Sequence, residues 1–546
     1  MSIHRATVAT PRVEGSLDLP ARSRAHRSVI PYASTEVAWA AAIVALFAFG
    51  IYLRTLLPGT GFWDTGEAQT VPHTLSIFHP TGFPTYTMLG WLWSQLPVGD
   101  VAYRMNLFSA VCLALTSGLV VLIAAQLMAE RHRLVVAVAA GVAGFTFAFA
   151  DEPWQNAVRA DVHALHIFFA ALIIWLLLSW GAAERSKAPH AGRWLAIAAL
   201  VFGVSMGNHA LTGLMAFGIA AWLLLVDPWI WRRWKLVGAC AGLLLLGLCT
   251  YLYIPIRALT PPEPPLFYAR PTTLERMRYL IFAEQFHGLF DNFANPFDFM
   301  GAKWQKADAV LAAQFIGPGW LLVAMGAALV AARRARAFVF LGLIVAANVF
   351  YSLNFEDGDI DRYYLTTILV ACVLLGVVAG WLAALCARTV AEASRRTADV
   401  RGRRALARVA GVVVLTMAAI FPTAALVNGY EAHDQSGNRD ADRWVASVYR
   451  ALPQNAVLIS WWSYSTPLWY HRWILGERPD IMILDERNIL DDGYGTMETA
   501  IRVFLGRRPV YVVPPDWEVR QLRLLFNAED VDTYAGYTAL LHIKEP

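Results

Sequence analysis

The stretch FWDTGEAQTVPHTLSIFHPTGFPTY, from Phe62 to Tyr86, sets two carboxylates, Asp64 and Glu67, three residues apart and adds His79 ahead of a Gly82-Phe83-Pro84 turn. If the residues after Trp63 are helical, as Thr65 to Leu75 allows, both acids share one helix face. Carboxylates so placed can accept a proton from a hydroxyl or help to hold a cation. The same pattern reads equally as helix capping, with Asp64 as the N-cap and Glu67 completing a capping pair. Its company favours chemistry: His79-Pro80 and Gly-Phe-Pro make a stiff, non-helical connection, and such loops commonly carry function.

Four more polar points lie far apart in the chain. DEPWQNAVRADVHALH supplies Glu152, Arg159, Asp161, His163 and His166 at the start of an apolar run, where Asp161 doubles as a helix cap and ionisable residues generally face a cavity or a partner. His209 interrupts another apolar run, Arg257 ends YLYIPIRA, and FEDGDIDRYY brings Glu356, Asp357, Asp359, Asp361 and Arg362. His209 also reads as a buried histidine held by a carbonyl, and the acidic stretch as a solvated loop. An arginine at headgroup level can snorkel, but its planar, permanent charge also suits a phosphate. The chemistry these residue types suggest is a lipid phosphate leaving group held by Arg257, with Arg362 or Arg104, while Asp64 takes the proton of an incoming hydroxyl. His79, Arg159, Asp161, His163 and His209 are the candidate substrate contacts. No dedicated metal-ligand spacing and no cysteine pair in an outer loop are found, so no metal is expected, with a divalent cation at Asp64 and Glu67 left open.

The elements that must position these residues are membrane helices. Of 546 residues 57% are apolar and only 16% charged, and the mean hydropathy is +0.45, too apolar for a soluble globule. The net charge of +4 comes from short, separated basic runs, which excludes a clustered nucleic-acid footprint. Five cysteines, Cys112, Cys240, Cys249, Cys372 and Cys386, all lie in apolar stretches, so no structural disulfide is expected.

Apolar runs long enough for a hydrocarbon core of about 30 Å fall near 37–56, 105–128, 134–150, 162–180, 236–255, 311–332, 337–353, 364–387 and 409–428. A further run of 33 residues, Trp194 to Val226, would reach about 50 Å as a single helix. Basic loops flank it on both sides (Arg185, Lys187, Arg193; Arg232, Arg233, Lys235), so the positive-inside rule makes it two short crossings with a submerged turn at Asn208 and His209. About eleven spans with the N-terminus inside then put every basic cluster on one side, including Arg131 with Arg133, Arg333, Arg334 and Arg336, and the 388–408 run. The first 36 residues, with Arg5, Arg12, Arg22, Arg24 and Arg27, lack an apolar core behind them and read as a basic cytoplasmic tail. The expected organisation is a tail over 1–36, a transmembrane unit over 37–428 and an extracytoplasmic α/β domain over 429–546. Strand-length runs at Ala456–Ser460, Ile481–Leu484, Val510–Val513 and Ala539–Ile543 support the last of these.

FWDTGE, HPTGFPTY, the YRMN segment from Tyr103 to Asn106, RADVHALH, GNHALTGL and YLYIPIRA stand in an order that resembles a GT-C-type membrane glycosyltransferase family, the transmembrane-protein-260-like proteins, whose animal members are protein O-mannosyltransferases. The resemblance covers about residues 45–270 and extends weakly through FEDGDIDRYYL and the C-terminal tail. It implies a GT-C-like fold, a dolichyl- or polyprenyl-phosphate sugar donor with mannose as the sugar, inversion at the anomeric carbon, and Asp64 and Glu67 as the two acids of the first outer loop. After the PIR motif this chain reads PPEPPLFYARPTT and departs from the family pattern, so acceptor contacts do not carry over there.

The expectation is a polytopic protein of the bacterial inner membrane that transfers a sugar, at its outer face, from a polyprenyl-phosphate donor to a hydroxyl of a protein or envelope glycan, with lipid as its surroundings. A transporter or lipid flippase is the alternative, since submerged polar turns suit it as well, although no paired repeat is visible. A third reading is a non-catalytic envelope protein whose SWWSYSTPLWYHRW stretch, Ser460 to Trp473, stacks on sugars. Docking of that stretch on the membrane, or core packing, is preferred to sugar stacking.

Overall fold

The structure, a computed structural model, describes residues 34–544 except 131, 316 and 535, with no side-chain description for residues 290 and 291. Of the expected basic tail, residues 1–33 lie outside the described residues, as does Arg131. Helix α1 is Thr35–Thr55, α2 Asp64–Thr74, α3 Pro84–Ser94, α4 Val101–Leu127, α5 Arg133–Phe149, α6 Asp151–Ala157, α7 Val162–Arg185, α8 Gly192–Met206, α9 Ala216–Val226, α10 Trp234–Leu248 and α11 Tyr253–Leu259. There follow α12 Leu274–Ile281, α13 Met300–Ala313, α14 Gly319–Arg333, α15 Ala335–Asn354, α16 Leu365–Ala393, α17 Val400–Ala418 and α18 Ile420–His433.

Among the described residues, seven helical stretches are long and apolar enough to cross a membrane, eight if α5 and α6, bent by 64° at Ala150, count as one span. The chain is a multi-pass membrane protein. Three further apolar helical stretches, Gly192–Met206, Ala210–Val226 and Gly319–Arg333, are shorter. The 33-residue apolar run is broken, as charge placement demands: α8 ends at Met206, and a 3₁₀ turn from Ala210 to Met215 leads into α9. The acidic loop expected over 151–161 contains α6, and α18 runs on to His433, past the expected boundary at 428.

Local chemistry starts the helices where the site needs them. Asp100 accepts from the Tyr103 N–H at 2.7 Å to cap α4, Asp161 accepts from the His163 N–H at 2.7 Å to cap α7, and Pro84 opens α3. Helix α4 packs against α1, α5 and α7, and α16 packs against α5, α14 and α17. With lipid as solvent, close packing of small residues replaces the hydrophobic effect between helices. Where α8 crosses α10, a Cβ on Gly203 would lie 2.2 Å from the Leu244 carbonyl oxygen, and one on Gly247 would lie 2.6 Å from the Val204 nitrogen.

The C-terminal residues form α19 Asp440–Ala451, β1 Val457–Ser460, α20 Trp462–Trp473, β2 Met482–Asp485, α21 Glu486–Asp491, α22 Met497–Phe504, β3 Val510–Val513, α23 Asp516–Leu525, β4 Asn527–Val531 and β5 Leu540–Lys544. One sheet results, of order β2-β1-β3-β5-β4, with β1 parallel to both β2 and β3 and β5 antiparallel to β3 and β4. Four strands fall where apolar runs announced them. The fifth, β4, is a polar edge strand, NAEDV, and has no such run to betray it. The five cysteines are free.

The glycine crossing gives a direct check. Gly203→Leu should destabilise the solubilised protein by about 1–3 kcal/mol, the usual cost of overpacking, read as a lowered Tm. Gly242→Ala in α10, where an added Cβ meets nothing within 4 Å, should leave Tm unchanged or slightly raised.

Candidate active site

The first outer segment is held by one buried amide. Asn106, on α4, donates through Nδ2 to the carbonyls of Leu57 (2.8 Å) and Gly59 (3.2 Å), and its Oδ1 accepts from Gln69 Nε2 (2.9 Å) and the Ala160 N–H (2.8 Å). Gln69 in turn accepts from the Gly61 N–H at 3.1 Å. Two outer loops and α2 are thereby fixed to the start of α4, which explains the asparagine of the YRMN segment. Helix α2 then lies directly on α20: a Cβ at Gly66 would sit 2.8 Å from the Thr466 carbonyl carbon, so only glycine permits the approach. Trp63, just before α2, holds φ 57° and ψ −146°, a conformation non-glycine residues seldom adopt, and such strain concentrates at functional sites.

Asp64 does not cap α2. The helix has no side-chain cap, and both Asp64 oxygens are committed elsewhere: Oδ2 accepts from Arg362 Nη2 at 2.7 Å and Oδ1 from Trp462 Nε1 at 3.0 Å. Arg362 also donates through Nη1 to Asp161 Oδ2 at 3.0 Å and lies 3.5 Å from Asp359. Asp161 therefore caps α7 and binds the arginine at once, and its Oδ1 lies 2.9 Å from His163 Nδ1. On the same face of α2, Glu67 accepts from the His79 backbone N–H at 3.0 Å and forms a short hydrogen bond with His79 Nδ1.

Burial alone would raise the Asp64 carboxyl, but Arg362, His79 and the Trp462 N–H outweigh it and hold the group well below the usual carboxylate range. Glu67 goes the other way: burial raises it, and His79 only partly offsets this. Burial lowers His79, but Glu67 and then Asp64 reverse that and raise it. Two carboxylates three residues apart thus have opposite tendencies, one firmly ionised and one sharing a proton with an imidazole.

Asp64 and His79 line a cavity of about 730 Å³, whereas Glu67 and Asp161 lie behind its wall. Asp64, His79, His163, His209 and Arg362 all face it, with Glu356, Asp357 and Asp359 from the acidic loop. The imidazoles of His163 and His209 lie 4.6 Å apart between centroids, and His209 stacks on Phe83 at 5.5 Å. His163 Nε2 is buried without a hydrogen-bond partner among the described residues. From the C-terminal unit come two lining residues that were not among the sequence candidates, Trp462 and Arg487. Arg487 stacks over the Trp462 ring at 4.7 Å, and among the described residues it makes no ion pair. The aromatic run at Ser460–Trp473 marked the neighbourhood of Trp462 but not its contact with Asp64, while nothing in ERNIL singled out Arg487.

Other expected contacts are not brought here. Arg257 spends its guanidinium on the carbonyls of Leu75 (2.8 Å), Thr260 (3.0 Å) and Pro262 (2.8 Å). Arg104 donates to the carbonyls of Ser94, Asp100 and Gly99. Both tie outer segments together, away from the cavity, because an arginine at a helix end finds backbone oxygens within reach before it finds a ligand. Arg159 lines a smaller cavity of about 290 Å³ with Trp63 and Tyr537. Ligand atoms of Asp64, Glu67 and His79 lie within 4.8 Å of one another, a grouping able to hold a cation if His79 gave up its bond to Glu67.

Comparison with known proteins finds likenesses in sequence and in fold. The family model described as the protein O-mannosyl-transferase TMEM260 N-terminal domain matches residues 64–232. The protein O-mannosyl-transferase TMEM260 of Mus musculus is 26% identical over 485 residues, 83% of this chain and 63% of the mouse protein. That of Dictyostelium discoideum is 22% identical over 217 residues, 37% of this chain and 26% of its own length. The chain therefore spans less than two thirds of either relative. Among solved structures, ArnT from Cupriavidus metallidurans bound to undecaprenyl phosphate superposes with a TM-score of 0.51 at 16% identity, over 94% of this chain and 100% of that one. The Archaeoglobus fulgidus oligosaccharyltransferase tethered with an acceptor peptide gives 0.50 at 15% identity, over 87% of this chain and 69% of that one. The chain is similar to the TMEM260 proteins in sequence and has a GT-C-like fold.

Two outcomes follow from the site's construction. Asn106→Leu leaves several buried backbone and amide groups unpaired, at about 1–3 kcal/mol each, so limited proteolysis should cleave the 57–100 segment faster than in the wild type. His471, between Asp442 (3.3 Å) and Glu477 (2.9 Å), helps seat the C-terminal unit, since Asp442 also accepts from the Thr60 N–H. Burial lowers its pKa, but hydrogen bonds to the two acids outweigh that and raise it. Its stabilisation is thus complete below the unfolded histidine value of about 6.5 and is lost as pH rises through the higher folded value. Tm should fall over that window in the wild type and be flatter in His471→Gln.

Proposed function

We propose that this protein is a membrane glycosyltransferase that moves a sugar from a polyprenyl-phosphate donor to a hydroxyl acceptor on a protein or envelope glycan. The observation that carries the reading is Asp64, an ionised carboxylate on the wall of a cavity that also presents two guanidinium groups. The similarity to proteins named O-mannosyl-transferases supports sugar transfer and makes mannose the sugar of choice. The shared fold with a protein bound to undecaprenyl phosphate supports a polyprenyl-linked donor.

In this mechanism the acceptor oxygen attacks the anomeric carbon while the bond from that carbon to the phosphate oxygen breaks, with inversion. The hydroxyl proton passes to Asp64, and the bonding electrons leave with the polyprenyl phosphate. The departing phosphate gains negative charge, and preorganised cations aimed at it lower the barrier. Arg487 is the cation free to do so, and Arg362 joins it. A carboxylate clamped by an arginine is a weak base, so a phosphate that draws Arg362 away would restore the basicity of Asp64 as the donor arrives. His163 and His209 line the sugar's place. The basic loops set the N-terminus in the cytoplasm and the cavity and C-terminal unit outside, in a bacterial inner membrane.

Transfer from a polyprenyl-phosphate sugar by the purified protein tests the reading. Asp64→Asn should lower turnover by about 10²–10⁴-fold, the usual weight of a general base, while polyprenyl phosphate still binds. Arg487→Ala should raise the donor KM by roughly ten- to a hundredfold, the worth of one charged hydrogen bond. Undiminished turnover in Asp64→Asn removes Asp64 as the base.

A further inference from the structure

The segment PPEPPLFYAR, where this chain departs from its family's pattern, forms one wall of a second cavity of about 580 Å³. The opposite wall is Trp469, Trp473 and strand β2. The junction of β2 and α21 stands between the two cavities: Arg487 faces the first, whereas Asp485 and Asn488 line the second.

The charges around this second cavity are already matched. Arg270 is held by Asp492 at 2.9 Å and Glu263 at 3.3 Å, and Asp480 is held by Arg478 at 2.9 Å. Arg508 donates to the carbonyls of Asn455, Ala456 and Asp480, and Arg472 donates to that of Arg478 at 2.7 Å. An anionic ligand would find no uncommitted cation among these.

Unmatched acceptors remain. Asp485 Oδ2 and Asn488 Oδ1 are buried and lack a hydrogen-bond partner among the described residues, and Asp485 is 2% exposed. Burial pushes the Asp485 carboxyl up to about 6, although Ser465 and the N–H groups of Arg487 and Asn488 pull the other way. Unsatisfied buried acceptors are costly, and a ligand rich in O–H groups would satisfy both. Trp473, 43% exposed, adds an indole surface backed by Arg472 at 5.1 Å. Sugar rings present C–H faces to such aromatic surfaces and hydroxyl edges to acceptors. The volume also falls within the roughly 300–1,000 Å³ usual for small-ligand sites.

We propose that this cavity is a binding site for a neutral oligosaccharide, which stacks on Trp473 and donates hydroxyl hydrogen bonds to Asp485 and Asn488. The site lies beside the junction that carries Arg487, so an occupant would rest next to the transfer cavity.

The full-length purified protein should be titrated with mannotriose, maltotriose and N-acetylchitotriose by calorimetry and tryptophan fluorescence. At least one should bind with a Kd of about 1 mM or tighter. Asn488→Ala should weaken it about five- to tenfold, the worth of one hydrogen bond, and Trp473→Ala should do so more strongly. Trp473→Phe, which keeps an aromatic face, should retain most of the affinity, and Tm of each variant reports folding. The proposal is overturned if none of the three binds at about tenfold higher concentration, if the variants bind like the wild type, or if spermidine or inorganic phosphate binds in a manner lost in Asn488→Ala while the sugars do not.

Discussion

One buried guanidinium holds the cavity-bearing face of this protein in register. Arg362, 8% exposed, joins Asp64 from the first outer segment to Asp161 from the second, and lies near Asp359 of its own loop. Desolvating such charges is costly, and removing one partner of a buried pair typically costs about 3–5 kcal/mol. Three chain segments far apart in sequence are therefore constrained to one point. The cavity exists where it does because its walls are the loops that carry these charges.

The same constraint gives the site its polarity of function. Arg362 is ion-paired through both Nη atoms, its buried Nε having no hydrogen-bond partner among the described residues, while Arg487 stacks on Trp462 without an ion pair among the described residues. Trp462 completes the arrangement by donating to the second oxygen of Asp64, so the carboxylate is oriented from both the membrane side and the C-terminal side. The C-terminal unit thus contributes Trp462 and Arg487 to the site's wall. Its seating relies on the glycine contact between α2 and α20 and on the hydrogen bond from the Ala102 N–H to the Tyr470 hydroxyl at 2.9 Å.

Membrane packing and site chemistry meet at the break between α8 and α9. Asn208 donates to the Val162 carbonyl at 3.1 Å, and the His209 Nδ1 accepts from the Leu211 N–H at 3.2 Å, so the interrupted backbone is satisfied internally. His209 is thereby turned toward the cavity beside His163. A backbone carbonyl was the expected partner of this histidine; its Nδ1 is held instead by a backbone donor, the Leu211 N–H.

The amino-acid sequence by itself determined the apolar runs, the interruption at Asn208 and His209, four of the five strands, and the choice of Asp64, Glu67, His79, Asp161, His163 and His209 as candidates. Each is a local property: hydrophobic length, charge beside an apolar run, or a motif with its residues close together. Choosing among the arginines was beyond it. Arg104, Arg257 and Arg362 carry the same charge at comparable depths, and only the fold decides that two are absorbed by carbonyl oxygens while the third meets Asp64 and Asp161. Trp462 and Arg487 reach the cavity from almost 400 residues beyond Asp64 (the Trp462 bond spans 398), a separation no local pattern encodes. Local sequence sets which groups are available for chemistry; which of them share a cavity follows from long-range packing, because only there do burial and charge matching act on several segments at once.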